Sequence, residues 1–182
     1  MKRSFLFLAE GFEEMEAIAI VDVLRRGGVD IKTVSLSDKL SVTGAHGVSV
    51  EADTVLHQVT KEDAACLIFP GGLPGAQNLS DSPQLIRLLQ DHFDRGGRVA
   101  AICAAPALVL SKLKTDRKYR MTTYPGFEKY LVNVDVVADG VVVDGRIVTG
   151  KGPAFALDFG LTVLRELESQ KAADEVAQGM LR

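Results

Sequence analysis

Two continuous apolar runs, Phe5 to Ala9 and Cys66 to Phe69, lack the alternating polar face of a half-exposed strand. A strand without a polar face is buried on both sides, which requires a mostly parallel sheet with helices over each face. The intervening segments fit. Glu13 to Arg26 reads as a helix, acidic at its start and basic at its end, stopped by Gly27-Gly28. Asp30 to Leu36 reads as the next strand, and Val42 to Val50 as a short irregular hairpin carrying Gly44 and Gly47. Ser82 to Arg95 is a helix with Pro83 in its first turn and Gly96-Gly97 past its end. Arg98 to Ile102 is a further strand, followed by a helix from near Pro106. Val134 to Thr149 is β-rich, with turn signals at Asp139-Gly140 and Asp144-Gly145 that predict a late antiparallel excursion. Ala154 to Glu168 and Ala172 to Met180 close the chain as helices. Strands alternating with helices specify an α/β fold, and with no repeat or linker residues 1–182 read as one domain.

Composition excludes several functions. The 182 residues are 47% apolar, enough to support a packed core rather than disorder. The net charge is −3 and no basic run occurs, which argues against nucleic acid as a partner. Phe5 to Ala9 is too short for a secretory leader. Val99 to Leu110, interrupted by Pro106, falls well short of a membrane span. Two cysteines, Cys66 and Cys103, make no disulfide scaffold, so a reducing, cytoplasmic location is expected. His46, His57 and His92 show no metal-ligand spacing with each other or with cysteine, and neither a metal nor a cofactor is expected.

Open α/β sheets gather ligands outside the carboxyl ends of their strands. Cys103 stands there, in Ala101-Ile102-Cys103-Ala104-Ala105-Pro106. Small neighbours on both sides suit a sharp strand-to-helix turn that exposes a nucleophile, and a following helix N-terminus favours thiolate. A buried structural cysteine fits the same pattern. Cys66, inside an apolar strand, reads as packing. Glu16 heads a helical stripe of Ala19, Ile20, Val23, Leu24 and Gly27. It is either a first-turn acid facing the helix dipole or a carboxyl buried to stay protonated. Glu14 shares its stripe with Asp22 and Arg25 and reads as solvated. Pro70-Gly71-Gly72-Leu73-Pro74-Gly75 either turns backbone N–H groups toward an anion or is an ordinary turn. His92 reads as solvated. His46, between glycines in the hairpin, is either a loop residue or one that reaches toward a site.

Gly11-Phe12-Glu13-Glu14-Met15-Glu16, Pro70-Gly71-Gly72, Gly75-Ala76-Gln77-Asn78-Leu79 and Ala100 to Pro106 together resemble the ThiJ/PfpI superfamily, and within it the Parkinsonism-associated protein deglycase branch. The resemblance implies a flavodoxin-like three-layer sandwich and a homodimer. It implies that Cys103 is the nucleophile, that protonated Glu16 hydrogen-bonds its sulfur, and that the N–H groups of Gly72 and Ala104 form an oxyanion pocket. It further implies glutathione-independent glyoxalase or deglycase activity on small aldehydes such as methylglyoxal, and oxidation of Cys103 to a sulfinate. The alternative is a redox sensor or chaperone-like protein without a dedicated substrate. No phosphate- or thiazole-handling motif supports the thiamine-related label some relatives carry. The protease-like branch has a histidine directly after the nucleophile; Ala104 here disfavours a Cys-His hydrolase. Two positions depart from the deglycase pattern. Tyr124 stands where a histidine is common, and His46 where an arginine is, and both are read as pocket-lining residues.

Overall fold

The computed structural model describes residues 3–59, 64–115 and 117–182; Met1 and Lys2, where the leader-like start begins, lie outside them. In chain order the elements are β1 (Arg3–Leu8), α1 (Glu14–Arg26), β2 (Ile31–Ser35), β3 (Ser41–Thr43), β4 (Ser49–Glu51), β5 (Thr54–Val55), β6 (Ala64–Phe69), α2 (Gly75–Ser80), α3 (Pro83–Asp94), β7 (Arg98–Ile102), α4 (Ala105–Leu108), β8 (Tyr119–Met121), β9 (Val134–Val136), β10 (Val141–Asp144), β11 (Ile147–Gly150), α5 (Ala156–Leu167) and α6 (Gln170–Gly179). Seven strands form the central sheet in the order β10-β11-β7-β6-β1-β2-β5. Every pairing in it is parallel except β10 with β11. That antiparallel pair turns at Asp144-Gly145, where the turn signal lies. The architecture is the flavodoxin-like α/β sandwich, with helices covering the sheet.

The interiors of β1, β6 and β7 are buried on both faces, and Phe7 stacks on Phe69 with ring centroids 5.3 Å apart. α1 packs along α5, and α2 and α3 follow β6 with α4 beside α2. Caps set the helix starts. Glu13 caps α1 by accepting the Glu16 N–H, Ser82 caps α3, and Ser169 caps α6. Two small sheets lie outside the main one: the expected hairpin β3–β4, and a parallel pair β8–β9.

Two expectations of solvation fail. His92 is 3% exposed, because its position on α3 falls on the stripe of Leu85, Leu88 and Leu89 and its Nε2 lies 2.9 Å from the Arg98 carbonyl. Glu14 is buried under the β3–β4 hairpin, whose loop supplies the partners it would otherwise find in water.

β1 lies between β2 and β6, so the chain leaves it first toward one edge and later toward the other. Such a reversal opens a crevice at the carboxyl ends of β1 and β6. The loops 9–13 and 70–74 meet there: the Glu13 N–H donates to the Gly71 carbonyl, and the Gly75 N–H to the Gly11 carbonyl.

Candidate active site

Cys103 follows β7 directly, with φ of 65°. This left-handed conformation is costly for a residue with a side chain and persists only where the surroundings impose it. Those surroundings are specific. The Cys103 N–H donates to the Gly150 carbonyl at 2.9 Å. Its carbonyl accepts the Thr123 hydroxyl at 2.8 Å and the Tyr124 N–H at 2.9 Å. The strand, the turn and the segment after β8 therefore hold one residue from three sides. Cys103 is 8% exposed, so its thiol borders solvent without protruding into it.

Glu16, in the first turn of α1, is fully buried. Its Oε2 accepts the Gly71 N–H at 2.7 Å, while among the described residues its Oε1 has no hydrogen-bond partner. Gly71 explains how carboxyl and thiol come together. A Cβ at this position would lie 2.5 Å from the Cys103 Cβ, 3.0 Å from its Sγ and 2.9 Å from Glu16 Oε2. The space of one missing side chain is what these two groups share. Gly72 has φ of 89°, and a Cβ there would meet the Glu13 nitrogen at 2.4 Å. Only glycine permits this approach.

Burial pushes the Glu16 carboxyl from its ordinary 4.5 up to about 7, with the nearby Glu13 carboxylate contributing and the Gly71 N–H opposing. Burial, and then the charge of Glu16, push the Cys103 thiol up to about 12; the N–H groups of Gly72 and Ala104 act on the sulfur in the opposite direction. The two groups titrate as a coupled pair. The helix after Cys103 is only four residues long, so its dipole is too small to offset burial beside a carboxylate. Both shifts favour the protonated forms, a thiol beside a carboxyl. Cys66 is fully buried in β6, where desolvation pushes its thiol up to about 12.

Of the predicted site residues, Cys103, Glu16, Gly72 and Ala104 come together. Tyr124 joins them through its backbone, which donates to the Cys103 carbonyl, and the residue is 45% exposed. His46 instead pairs with Glu14. Its Nδ1 lies 2.8 Å from Glu14 Oε2, and its backbone N–H donates to Glu14 Oε1 at 2.7 Å. Burial alone would raise the Glu14 carboxyl, but its hydrogen bonds to His46 and Val48 hold it below its ordinary value; the same contact raises His46. Glu13, Glu14 and His46 bring metal-type ligand atoms within 4.8 Å of one another. Those groups already have partners: Glu13 Oε2 takes the Glu16 N–H, and Glu14 takes His46. Gly71 and Thr123 are contributors that reading the sequence missed. The glycine-rich turn was the available signal for the first; nothing local marks the second.

The family model for the DJ-1/PfpI family matches residues 2–166. The chain belongs to this family. A crystal structure of Drosophila melanogaster DJ-1beta superposes with a TM-score of 0.93 at 38% identity, covering 100% of this chain and 98% of that one. An oxidised DJ-1 of Toxoplasma gondii matches with a TM-score of 0.92 at 33% identity, over 100% and 98% of the two chains. The glutathione-independent glyoxalase DJR-1.2 of Caenorhabditis elegans is 33% identical, over 92% of this chain and 89% of that one. The chain spans 45% and 40% of the DJ-1 homologs A and B of Arabidopsis thaliana, which it also matches.

Proposed function

We propose that this DJ-1/PfpI protein is a cysteine-dependent, glutathione-independent glyoxalase of the deglycase type, acting on small 2-oxoaldehydes such as methylglyoxal or on their protein adducts. The observation that carries the reading is the buried Glu16 carboxyl with one free oxygen, set against a thiol held in a left-handed turn. A pKa near neutrality suits Glu16 to both accept and return protons.

In the proposed reaction the Cys103 sulfur attacks the aldehyde carbon while Glu16 takes the thiol proton. The oxygen that becomes negative is held by the N–H groups of Gly72 and Ala104, then receives that proton to give a hemithioacetal. Each such donor contributes about 2.7–4 kcal/mol where measured. Glu16 next removes the hydrogen on that carbon as a proton, its electrons passing to the adjacent carbonyl. Return of the proton to the second carbon, with the hydroxyl proton passing from the first oxygen to the second, leaves a thioester of a 2-hydroxy acid. Water cleaves the thioester, restoring the thiol. The net change adds one water to the 2-oxoaldehyde. Methylglyoxal consumption and lactate formation test this: wild type should turn over, and Cys103→Ser should not. Equal rates in the two would overturn the reading.

The free Glu16 Oε1 also favours a second role, oxidation sensing. A protonated carboxyl beside the sulfur stabilises a sulfinate by donating to its oxygen. Mild peroxide should add two oxygens to Cys103 in wild type but not in Glu16→Leu.

The functional unit in this reading is a cytoplasmic homodimer of one domain, residues 1–182. Its support is the outer face of α1, where Met15 is 60% and Ile18 47% exposed beside Pro153, Ala154 and Leu157. Such a row of apolar side chains fits a second copy of the same face.

A further inference from the structure

We propose that Tyr124 and Phe127 form an aryl subsite, so that the preferred 2-oxoaldehyde carries a planar, ring-bearing substituent rather than a methyl group. The inference rests on the glyoxalase reading of Cys103 and adds to it the substrate's side group.

The segment after β8 carries aromatic residues at positions 124, 127 and 130. The Phe127 N–H donates to the Tyr124 carbonyl at 3.1 Å, and the Tyr130 N–H to the Phe127 carbonyl at 3.0 Å. Two consecutive three-residue turns thus bring every third side chain to one side. The rings form a ladder: Tyr124 meets Phe127 edge-on at 6.4 Å, and Phe127 meets Tyr130 at 6.0 Å. Its first rung is fixed to the nucleophile, because the Tyr124 N–H donates to the Cys103 carbonyl at 2.9 Å. Thr123, the preceding residue, donates to the same carbonyl.

The Tyr124 ring is seated but not covered. A Cβ on Gly152 would lie 3.2 Å from its Cδ2, so the glycine gives the ring its backing. Even so, 45% of the residue remains exposed. Phe127 is half-buried and packs against the core, which stiffens the ladder from below. Rings held this way, on a segment whose backbone is bonded to Cys103, offer a rigid edge and face at low entropic cost. A second planar group gains by stacking on them. Lys129 sits over Tyr130, 5.1 Å from the ring centroid, and leaves the two inner rungs to the substrate.

The test labels the thiol with two bromoketones, phenacyl bromide and bromoacetone, and reads Cys103 modification by intact mass. In each reaction the sulfur displaces bromide, forming one S–C bond. The half-saturating concentration reports binding beside the thiol whether or not the protein turns over substrate. Phenacyl bromide should half-saturate at a concentration about 3- to 10-fold lower than bromoacetone. The ratio should fall toward one in Tyr124→Ala and in Phe127→Ala, and should persist in Tyr124→Phe, which keeps the ring. Equal half-saturation in wild type, or a preference that survives both alanine variants, would overturn the subsite. Turnover separates the two ideas. If the labelling preference holds but methylglyoxal and phenylglyoxal are both left intact, the subsite stands and the glyoxalase reading falls. If both are consumed, phenylglyoxal should show the lower KM at similar kcat, as expected for a group bound equally in ground and transition states.

Discussion

Glu16 Oε2 accepts the Gly71 N–H at 2.7 Å, and Glu16 Oε1, equally buried, has no hydrogen-bond partner among the described residues. One oxygen is fixed by the backbone, so the proton that burial drives onto this carboxyl belongs on the other. The fixed oxygen is the one that borders, together with the Cys103 Sγ, the space a Gly71 side chain would fill.

The same burial makes stability depend on pH. In the folded protein the Glu16 carboxyl titrates at about 7, above its ordinary 4.5. Below 4.5 it is protonated whether folded or unfolded and carries no charge penalty. Between 4.5 and 7 the unfolded chain gives up its proton first, so the folded state loses ground as pH rises. The full penalty, about 3 kcal/mol, is reached above 7. Glu16→Gln keeps an acceptor for Gly71 without the charge. Urea unfolding should show the variant gaining on wild type from pH 5 to pH 8; a constant difference would contradict this account.

Gly71→Ala should damage both stability and reactivity. The added methyl group meets the Cys103 Cβ, its Sγ and Glu16 Oε2, all within 3.0 Å. Overpacking of this kind costs about 1–3 kcal/mol. Thermal unfolding should detect that loss, and iodoacetamide labelling should show Cys103 slowed. A variant as stable and as reactive as wild type would show that the pocket has room to spare.

The hairpin and helix α1 are joined by a contact that titrates. Glu14 raises His46 above its ordinary 6.5, and His46 helps hold Glu14 below 4.5. The Glu14 contribution is present above pH 4.5 and is lost as pH falls through its lowered pKa. The His46 contribution is complete below pH 6.5 and is lost as pH rises through its raised pKa. The contact is therefore strongest between those limits. An NMR titration should place His46 above 6.5 in wild type and return it toward 6.5 in Glu14→Gln. No change between the two would mean that the imidazole and carboxylate do not pair in solution.

How far the sequence anticipated this depends on whether a signal was local. The strands β1, β6 and β7 were legible because a strand buried on both faces writes a continuous apolar run. The Asp144-Gly145 turn announced the β10–β11 pair. Strands of three residues such as β8 are too short for any pattern, and α2 was masked by the glycines and prolines before it. For His92 the local signal of burial is present, since Leu85, Leu88 and Leu89 share its stripe. For Glu14 no local signal exists: its partner lies 32 residues away in the hairpin, and helix periodicity is blind to such contacts. Cys103 and Glu16 each stand out singly from their surroundings in the sequence. Their juxtaposition through the empty side of Gly71 is a tertiary fact.

The exposed face of α1 gives a separate prediction. Lysine at both Met15 and Ile18 should halve the mass seen by sedimentation equilibrium, because charges replace the apolar residues that a second copy would cover. Wild type sedimenting at 19.6 kDa would exclude the dimer.

Cys103 and Glu16 act as one titrating unit, and Cys103 alkylation followed across pH reads that coupling. Iodoacetamide rates should be measured from pH 5 to 10 for wild type and Glu16→Gln, with the modified residue assigned by peptide mass. Wild type should show an inflection near pH 7, where Glu16 titrates, and a further rise at alkaline pH as the thiol itself ionises. In Glu16→Gln the inflection near 7 should vanish and the alkaline rise should move to lower pH, because the neighbouring negative charge is gone. Buried Cys66 should stay unmodified in both. Superimposable profiles for the two proteins would mean that thiol and carboxyl ionise independently.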